Sequence, residues 1–384
     1  LPYKDFFFAH PPLKLLVITP IIALFGFNFI VLKLIPLAAI MITAIFLFKI
    51  MKLRFDDLSA ILTVILFLFA KRVMLEATYF LGVNLTAMLV VIGLYFFFTK
   101  NYLVSGVFYG IAAVSGLYSV VPFLVILIFS WVKKRFWKFL LGFLIVFLLV
   151  NLIMTAISIN YVHSVYIYHL VKPKVEGKNF NILKDAVMEN PLLFILPFLL
   201  LLNKRWKKTL LILTVSAAYL LFMMKIRLFA FYFILLFPFL AIISGYGLAS
   251  LLKRIKNNKA IFIGLAVLLL AVFSFSVYGN IKHLYTFDFI DFQGNSAIVD
   301  YINENSDKNT KIFGDVLTVP LIALQTNRAI AFNLVDTNAM RFLSGSLDFD
   351  EVLKRIRQEK VKFVIVRPGQ GFGNNQKVAD FLNA

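Results

Sequence analysis

LPYKDFFFAHPPLKLLVITPIIALFGF, residues 1–27, sets two kinds of chain side by side. The first dozen residues place a cation (Lys4), a carboxylate (Asp5) and an imidazole (His10) on an aromatic segment closed by Pro11-Pro12. The next fifteen are apolar and contain Pro20. Ionisable groups on irregular backbone beside an apolar region are costly to hold, so they mark a functional site by default. Whether residues 13–27 cross a membrane decides the orientation of everything that follows.

Outward from this segment, apolar runs recur from residue 13 to residue 278. The whole chain is 61% hydrophobic, with a mean hydropathy of +0.90. A soluble domain is closer to about half apolar. The runs are long and lack the two-residue alternation of an outer-membrane barrel, so a polytopic α-helical membrane protein is expected. There is no cysteine, which excludes disulfides and thiolate metal sites. The chain begins at Leu1 rather than Met, and a preceding helix is expected upstream.

Charge divides the chain at about residue 280. Residues 1–280 hold 27 Lys and Arg against 7 Asp and Glu, whereas residues 281–384 hold 12 of each. The net charge of +20 therefore belongs to the apolar part. Membrane lipid, rather than nucleic acid, is the expected partner of such a surplus. Four basic clusters surround Lys52, Lys134, Lys207 and Lys253. Placing all four on the cytoplasmic side gives spans at 29–50, 58–72, 80–98, 102–118, 119–132, 137–158, 190–203, 209–224, 228–252 and 260–279. Residues 13–27 then form an interfacial or re-entrant helix. A crossing there would invert an excess of 16 basic residues inside over 11 outside.

Residues 281–384 read as a small α/β domain on the outer side. Strands are expected at 311–316, 329–335 and 362–367, with helices at 294–305 and 348–360. The Gly-rich stretch 369–373 lacks the Lys and Ser/Thr of a phosphate loop and reads as a turn. The expected domains are thus residues 1–280, of which 1–28 are outer loop and interfacial helix, and residues 281–384.

This topology puts all four histidines outside, with Asp5, Glu76, Glu176, Asp185 and Glu189. Glu76 is a candidate catalytic carboxylate, or else an ion-pair partner of Lys71 or Arg72. His10 is a candidate anion ligand, or else packs against Phe6–Phe8. The loop 159–190 carries His163, His169, Lys172 and Lys174 among tyrosines, and Lys225 and Arg227 start a later helix on the same side. The six-residue spacing of His163 and His169 is not that of a helical metal site.

Cations around one or two carboxylates suit transfer from a lipid-linked phosphate. Lys, Arg or His would stabilise the leaving phosphate, with or without a divalent cation (Mg, Mn or Zn) on ligands such as His10 and His169. A carboxylate would deprotonate an acceptor hydroxyl. A transporter or flippase for lipid-linked sugars, and a non-catalytic scaffold, are the alternatives. A transporter should show paired broken helices in two related halves, which are not evident.

The segment Pro2-Tyr3-Lys4-Asp5-Phe6, then His10-Pro11-Pro12-Leu13, Phe25-Gly26 and Lys33, resembles the first outer loop of GT-C membrane glycosyltransferases. The subgroup is that of dolichyl-phosphate-mannose–protein mannosyltransferases and lipid A aminoarabinose transferases. Residues 227–252 are similar to that family's late helix, and residues 166–173 to its archaeal members. The resemblance implies a GT-C-like fold with about ten to eleven membrane helices, an interfacial helix and an outer C-terminal domain. It also implies inverting transfer from a polyprenyl-phosphate sugar to a protein, lipid or glycan acceptor, at the outer face of the cell membrane. By position, His10 falls near the donor phosphate and Asp5 on the acceptor side. Lys4, Lys33, His163, His169, Lys172, Lys225 and Arg227 are then donor-phosphate candidates, and Asp5 and Glu76 catalytic ones. The family's usual acidic motif lies upstream of the segment, before Leu1. Ala9 stands where some relatives place a carboxylate metal ligand.

Overall fold

The computed structural model describes residues 3, 7–26, 28–77, 82–131, 134–171, 178–202, 206–286, 296–367 and 371–383. The chain forms two compact units. The larger comprises residues 11–152 and 175–287. The smaller is discontinuous, comprising residues 1–10, 153–174 and 288–384.

The larger unit is helical. Its first half is α1 (Leu13–Phe25), α2 (Phe29–Arg54), α3 (Asp57–Leu68), α4 (Lys71–Glu76), α5 (Val83–Phe98), α6 (Tyr102–Ala113), α7 (Val120–Phe129) and α8 (Lys134–Ile157). Two short helices, α9 (Asn160–Val162) and α10 (Tyr168–Val171), belong to the smaller unit. The larger unit resumes with α11 (Lys178–Glu189), α12 (Pro191–Ile195), α13 (Leu210–Lys225), α14 (Phe233–Ile255) and α15 (Lys259–Thr286). Among the described residues, five helices are long and apolar enough to span a bilayer: Ile30–Arg54, Arg135–Ile157, Trp206–Lys225, Ala230–Ile255 and Lys259–Gly279. Others are shorter, among them Leu13–Phe25, whose 13 residues rise only about 20 Å against a hydrocarbon core of about 30 Å.

Local chemistry fixes the helix ends. The Asn28 side chain accepts from the Ile30 and Val31 amides and caps α2. Asp56 caps α3 through the Ser59 amide and pairs with Lys253 at 2.7 Å. Its neighbour Asp57 pairs with Lys52 at 3.2 Å. The first and fourth basic clusters, expected on one side of the membrane, thus meet at one end of the helices.

Burial is graded through the unit. Within its spanning window α14 is 89% buried, packed on α3, α5, α13 and the turn Leu196–Leu202. In α8 and α15 the figures are 11% and 0%, so these helices present apolar side chains outward, as a lipid-facing helix must. Close crossings are made by glycine. A Cβ on Gly106 of α6 would lie 2.0 Å from the Phe139 carbonyl of α8, and one on Gly142 of α8 would lie 2.2 Å from Leu103 O. Small residues let helix backbones approach in a setting where hydrophobicity alone cannot drive association.

The structure departs from the expected elements in four places. The run 58–72 breaks at Phe69-Ala70 into α3 and α4, which turns Lys71 and Arg72 toward Glu189. The run 190–203 becomes α12 followed by a 3-10 segment, Leu196–Leu202, where Pro197 removes a helical donor. The described residues of 159–190 are mostly helical rather than a loop. The expected strand at 329–335 is reduced to one bridge, Ile312 to Ile330, because Phe332 and Asn333 adopt left-handed φ of 56° and 54°.

In the smaller unit the polar tail adds α16 (Ser296–Asn305), β1 (Ile312–Gly314), α17 (Val319–Thr326), α18 (Ala339–Leu343), α19 (Phe349–Gln358), β2 (Phe363–Ile365) and α20 (Gln376–Asn383). The strands pair in parallel, Ile312 with Phe363 and Gly314 with Ile365. Gly314 has φ +141°, and a Cβ there would lie 1.8 Å from Ile365 O, so no other residue fits. Asp315 follows, fully buried, held by Arg367 at 3.1 Å and by the Leu317 amide at 2.9 Å. Phe313, Val352, Ile356, Phe372 and Val378 form the apolar core beneath.

Candidate functional site

The first loop is fastened at several points. Tyr3, in a left-handed conformation (φ 64°), is buried and donates its hydroxyl to His10 O at 2.7 Å. Its own carbonyl accepts from Ser158 Oγ at 2.9 Å. Its ring stands edge-on to Phe8 and Tyr161, with centroids 5.9 and 4.9 Å away. Burial raises the Tyr3 and Tyr161 hydroxyls well above the ordinary tyrosine value, so both are neutral hydrogen-bonding groups.

After α9 the helix widens into a π turn, His163–Ile167, before α10. Such turns cost helical geometry and recur at functional sites. The extra residue swings Tyr168 inward and brings His169 to the first loop. His169 Nε2 lies 2.6 Å from the Ala9 carbonyl. A carbonyl only accepts, so Nε2 carries the proton. The His169 ring is 6.1 Å from that of His10, centroid to centroid. Phe7 meets Tyr168 edge-on at 5.2 Å. Arg341 of α18 covers the Phe7 ring at 3.9 Å.

Of the residues expected in the site, His10 and His169 are thus brought together, and His163 is exposed on the adjoining π turn. Lys4, Asp5 and Lys172 lie outside the described residues. Lys33, Glu76, Lys225 and Arg227 belong to the larger unit. Lys33 and Lys225 are exposed on α2 and at the end of α13. Arg227 stacks on Phe229 at 5.4 Å. Its turn is held by Asn179, which donates to Ile226 O at 2.5 Å and accepts from the Leu228 amide at 3.0 Å.

Glu76 ends α4 and is 7% exposed. Burial pushes its carboxyl up to about 6, against the pull of Arg72. The ion pair considered for it does not form: Lys71 and Arg72 both bind Glu189, at 3.0 and 3.1 Å. Asn190 reinforces that junction by accepting from the Lys71 amide at 2.8 Å. The α4–α5 connection is tied by Asn84 Nδ2, which donates to the Glu76 carbonyl at 2.7 Å.

Sequence reading did not single out the contacts of Glu189 and Asn179 in the larger unit or of Arg341 in the smaller. Each acts through a partner far away in the chain, and none sits in a motif. Among the described residues, no three His, Asp or Glu side chains converge as a metal centre.

No family model matches the sequence, and no curated protein matches it. Solved structures do. The chain is similar to ArnT from Cupriavidus metallidurans bound to undecaprenyl phosphate, with a TM-score of 0.67 and 13% identity over 94% of this chain and 80% of that one. For the same protein in the apo state the TM-score is 0.65 and the identity 14%, over 91% and 80%. This multi-pass helical chain has the fold of ArnT.

Proposed function

We propose that this chain is an inverting glycosyltransferase that moves a sugar from a polyprenyl-phosphate donor to an acceptor hydroxyl on the outer face of the membrane. The observation that carries the reading is the meeting of His10 and His169, 159 positions apart, on the first loop of a chain with this fold. ArnT, whose fold it shares, has been crystallised with undecaprenyl phosphate.

Departure of the lipid phosphate leaves negative charge on its oxygens, and cationic or N–H donors aimed there lower the barrier. His10 is suited to that role, and so is His169 in its imidazolium form, which donates from both ring nitrogens. Lys4, Lys33, His163, Lys172, Lys225 and Arg227 remain the other cationic candidates. For the acceptor proton, Glu76 of the larger unit has the right chemistry. A carboxyl near 6 is about tenfold more ionised than neutral at pH 7, and is a stronger base than an ordinary one. Asp5 is the alternative carboxylate. No step is assigned to a metal ion. Acceptor and sugar identity, and a tail on the outer side, belong to the same proposal.

The test is transfer of labelled sugar from a polyprenyl-phosphate donor by the full chain in lipid nanodiscs, compared with His10→Ala. Loss of turnover in the variant is expected. Unchanged turnover removes His10 from the mechanism. Passage of intact lipid-linked sugar across vesicles without any covalent product replaces transfer by transport.

A further inference from the structure

Arg341 of α18 is 6% exposed. Its guanidinium lies over the Phe7 ring, Cζ 3.9 Å from the centroid, and Nη1 donates to the Asp336 carbonyl at 2.9 Å. Nε is buried and meets no acceptor. Among the described residues no carboxylate is within ion-pair distance, and the Asp336 carboxylate and the Tyr168 side chain act on it only through space. A guanidinium stays protonated in proteins, so this is a buried positive charge facing one aromatic ring and one carbonyl. Those two contacts return far less than removing the charge from water costs. An anion at this position would repair the deficit.

The surroundings say which anion. Phe7 is shared between Arg341 and Tyr168, the residue before His169. Ala9 and His10, two and three residues beyond Phe7, meet His169 through its Nε2 and its ring. The tail's cation and the two imidazoles are therefore mounted on the same four residues, Phe7 to His10. A planar guanidinium with a free Nε–H edge is shaped to hold two oxygens of one phosphate. We propose that Arg341 is an anion ligand delivered by the polar tail to the His10–His169 site, and that the anion is the phosphate of a polyprenyl phosphate. This rests on the reading of that site as a lipid-phosphate site.

The experiment measures the affinity of the full chain in nanodiscs for undecaprenyl phosphate and for undecaprenol, with inorganic phosphate as competitor. Wild type, Arg341→Met and Arg341→Lys are compared. Losing a charge-assisted contact should weaken undecaprenyl phosphate binding about tenfold to a hundredfold in Arg341→Met, with undecaprenol unchanged. Arg341→Lys keeps the cation over Phe7 but loses the fork, so it should fold normally and bind undecaprenyl phosphate several-fold more weakly. It carries the test if the methionine variant fails to fold. Competition by inorganic phosphate would identify the head group as a sufficient ligand, and its absence would assign the lipid-borne phosphate. Wild-type affinity for undecaprenyl phosphate in both variants overturns the inference alone. So does a parallel loss for both lipids, which would make Arg341 a structural clamp. A wild type that binds no undecaprenyl phosphate overturns the functional reading with it.

Discussion

Glu76→Gln is expected to stabilise the protein at neutral pH and to abolish transfer. Burial raises the Glu76 carboxyl from 4.5 to about 6, and this displacement corresponds to about 2 kcal/mol of preference for the neutral form. Below pH 4.5 the carboxyl is neutral in the folded and the unfolded chain, and it contributes no difference. Between 4.5 and 6 the unfolded chain ionises first, so stability falls as pH rises. Above 6 the penalty is complete, at about 2 kcal/mol. Glutamine has nearly the same shape and no charge to desolvate. The variant should therefore match wild type at pH 4.5 and exceed it by up to about 2 kcal/mol at pH 7.5, a gain of a few degrees in Tm. Thermal unfolding of both proteins in the same detergent, from pH 4.5 to 7.5, measures this, and the difference cancels all other titrating groups. If Glu76 is the base, turnover should drop by about two to four orders of magnitude. A variant no more stable than wild type at pH 7.5 refutes the assignment of a buried, costly carboxylate. A more stable variant with full turnover refutes the base.

Three further outcomes are expected. His169→Ala removes the 2.6 Å contact to Ala9 O and should cost about 1 kcal/mol in thermal stability while lowering transfer at least tenfold. His169→Gln should recover the stability but not the turnover. Gly106→Ala drives a methyl into the Phe139 carbonyl 2.0 Å away and should cost about 1–3 kcal/mol, seen as a lower Tm, whereas Gly264→Ala, with nothing within 4 Å, should be neutral or stabilising. Glu189→Gln leaves Lys71 and Arg72 facing each other at a partly buried junction and should destabilise by about 1–3 kcal/mol, less in high salt.

The helices were legible because long apolar runs admit few other structures in a bilayer. Their breaks were not, because Phe69-Ala70 and Leu196-Pro197 interrupt runs that are uniformly apolar and the deciding partners lie elsewhere in the chain. In the tail, the segments 311–316 and 362–367 alternate with helices clearly enough to reveal two strands, which the structure pairs in parallel. Residues 329–335 look equally strand-like, yet two left-handed residues curl them into a turn. The site was half legible. His10 stood out beside Pro11-Pro12, and His169 stood out in a basic aromatic stretch. Arg341 is one arginine in an ordinary amphipathic tail, and only closure of the fold over Phe7 distinguishes it. Glu189 likewise gains its meaning from cations 117 and 118 positions earlier.

The discontinuity of the smaller unit sets a clock during biosynthesis. Ribosomes deliver residues 1–10 before residues 153–174, and both before residues 288–384. The helices of the larger unit can enter the membrane one after another in the meantime. Until α18 emerges, Phe7 has no cation above it, and the bond from Arg341 to Asp336 O cannot form. A message truncated within the tail would therefore yield an inserted helical bundle with an unfinished site. The contacts that α18 makes with the first loop therefore arrive only after the helices of the larger unit have been made.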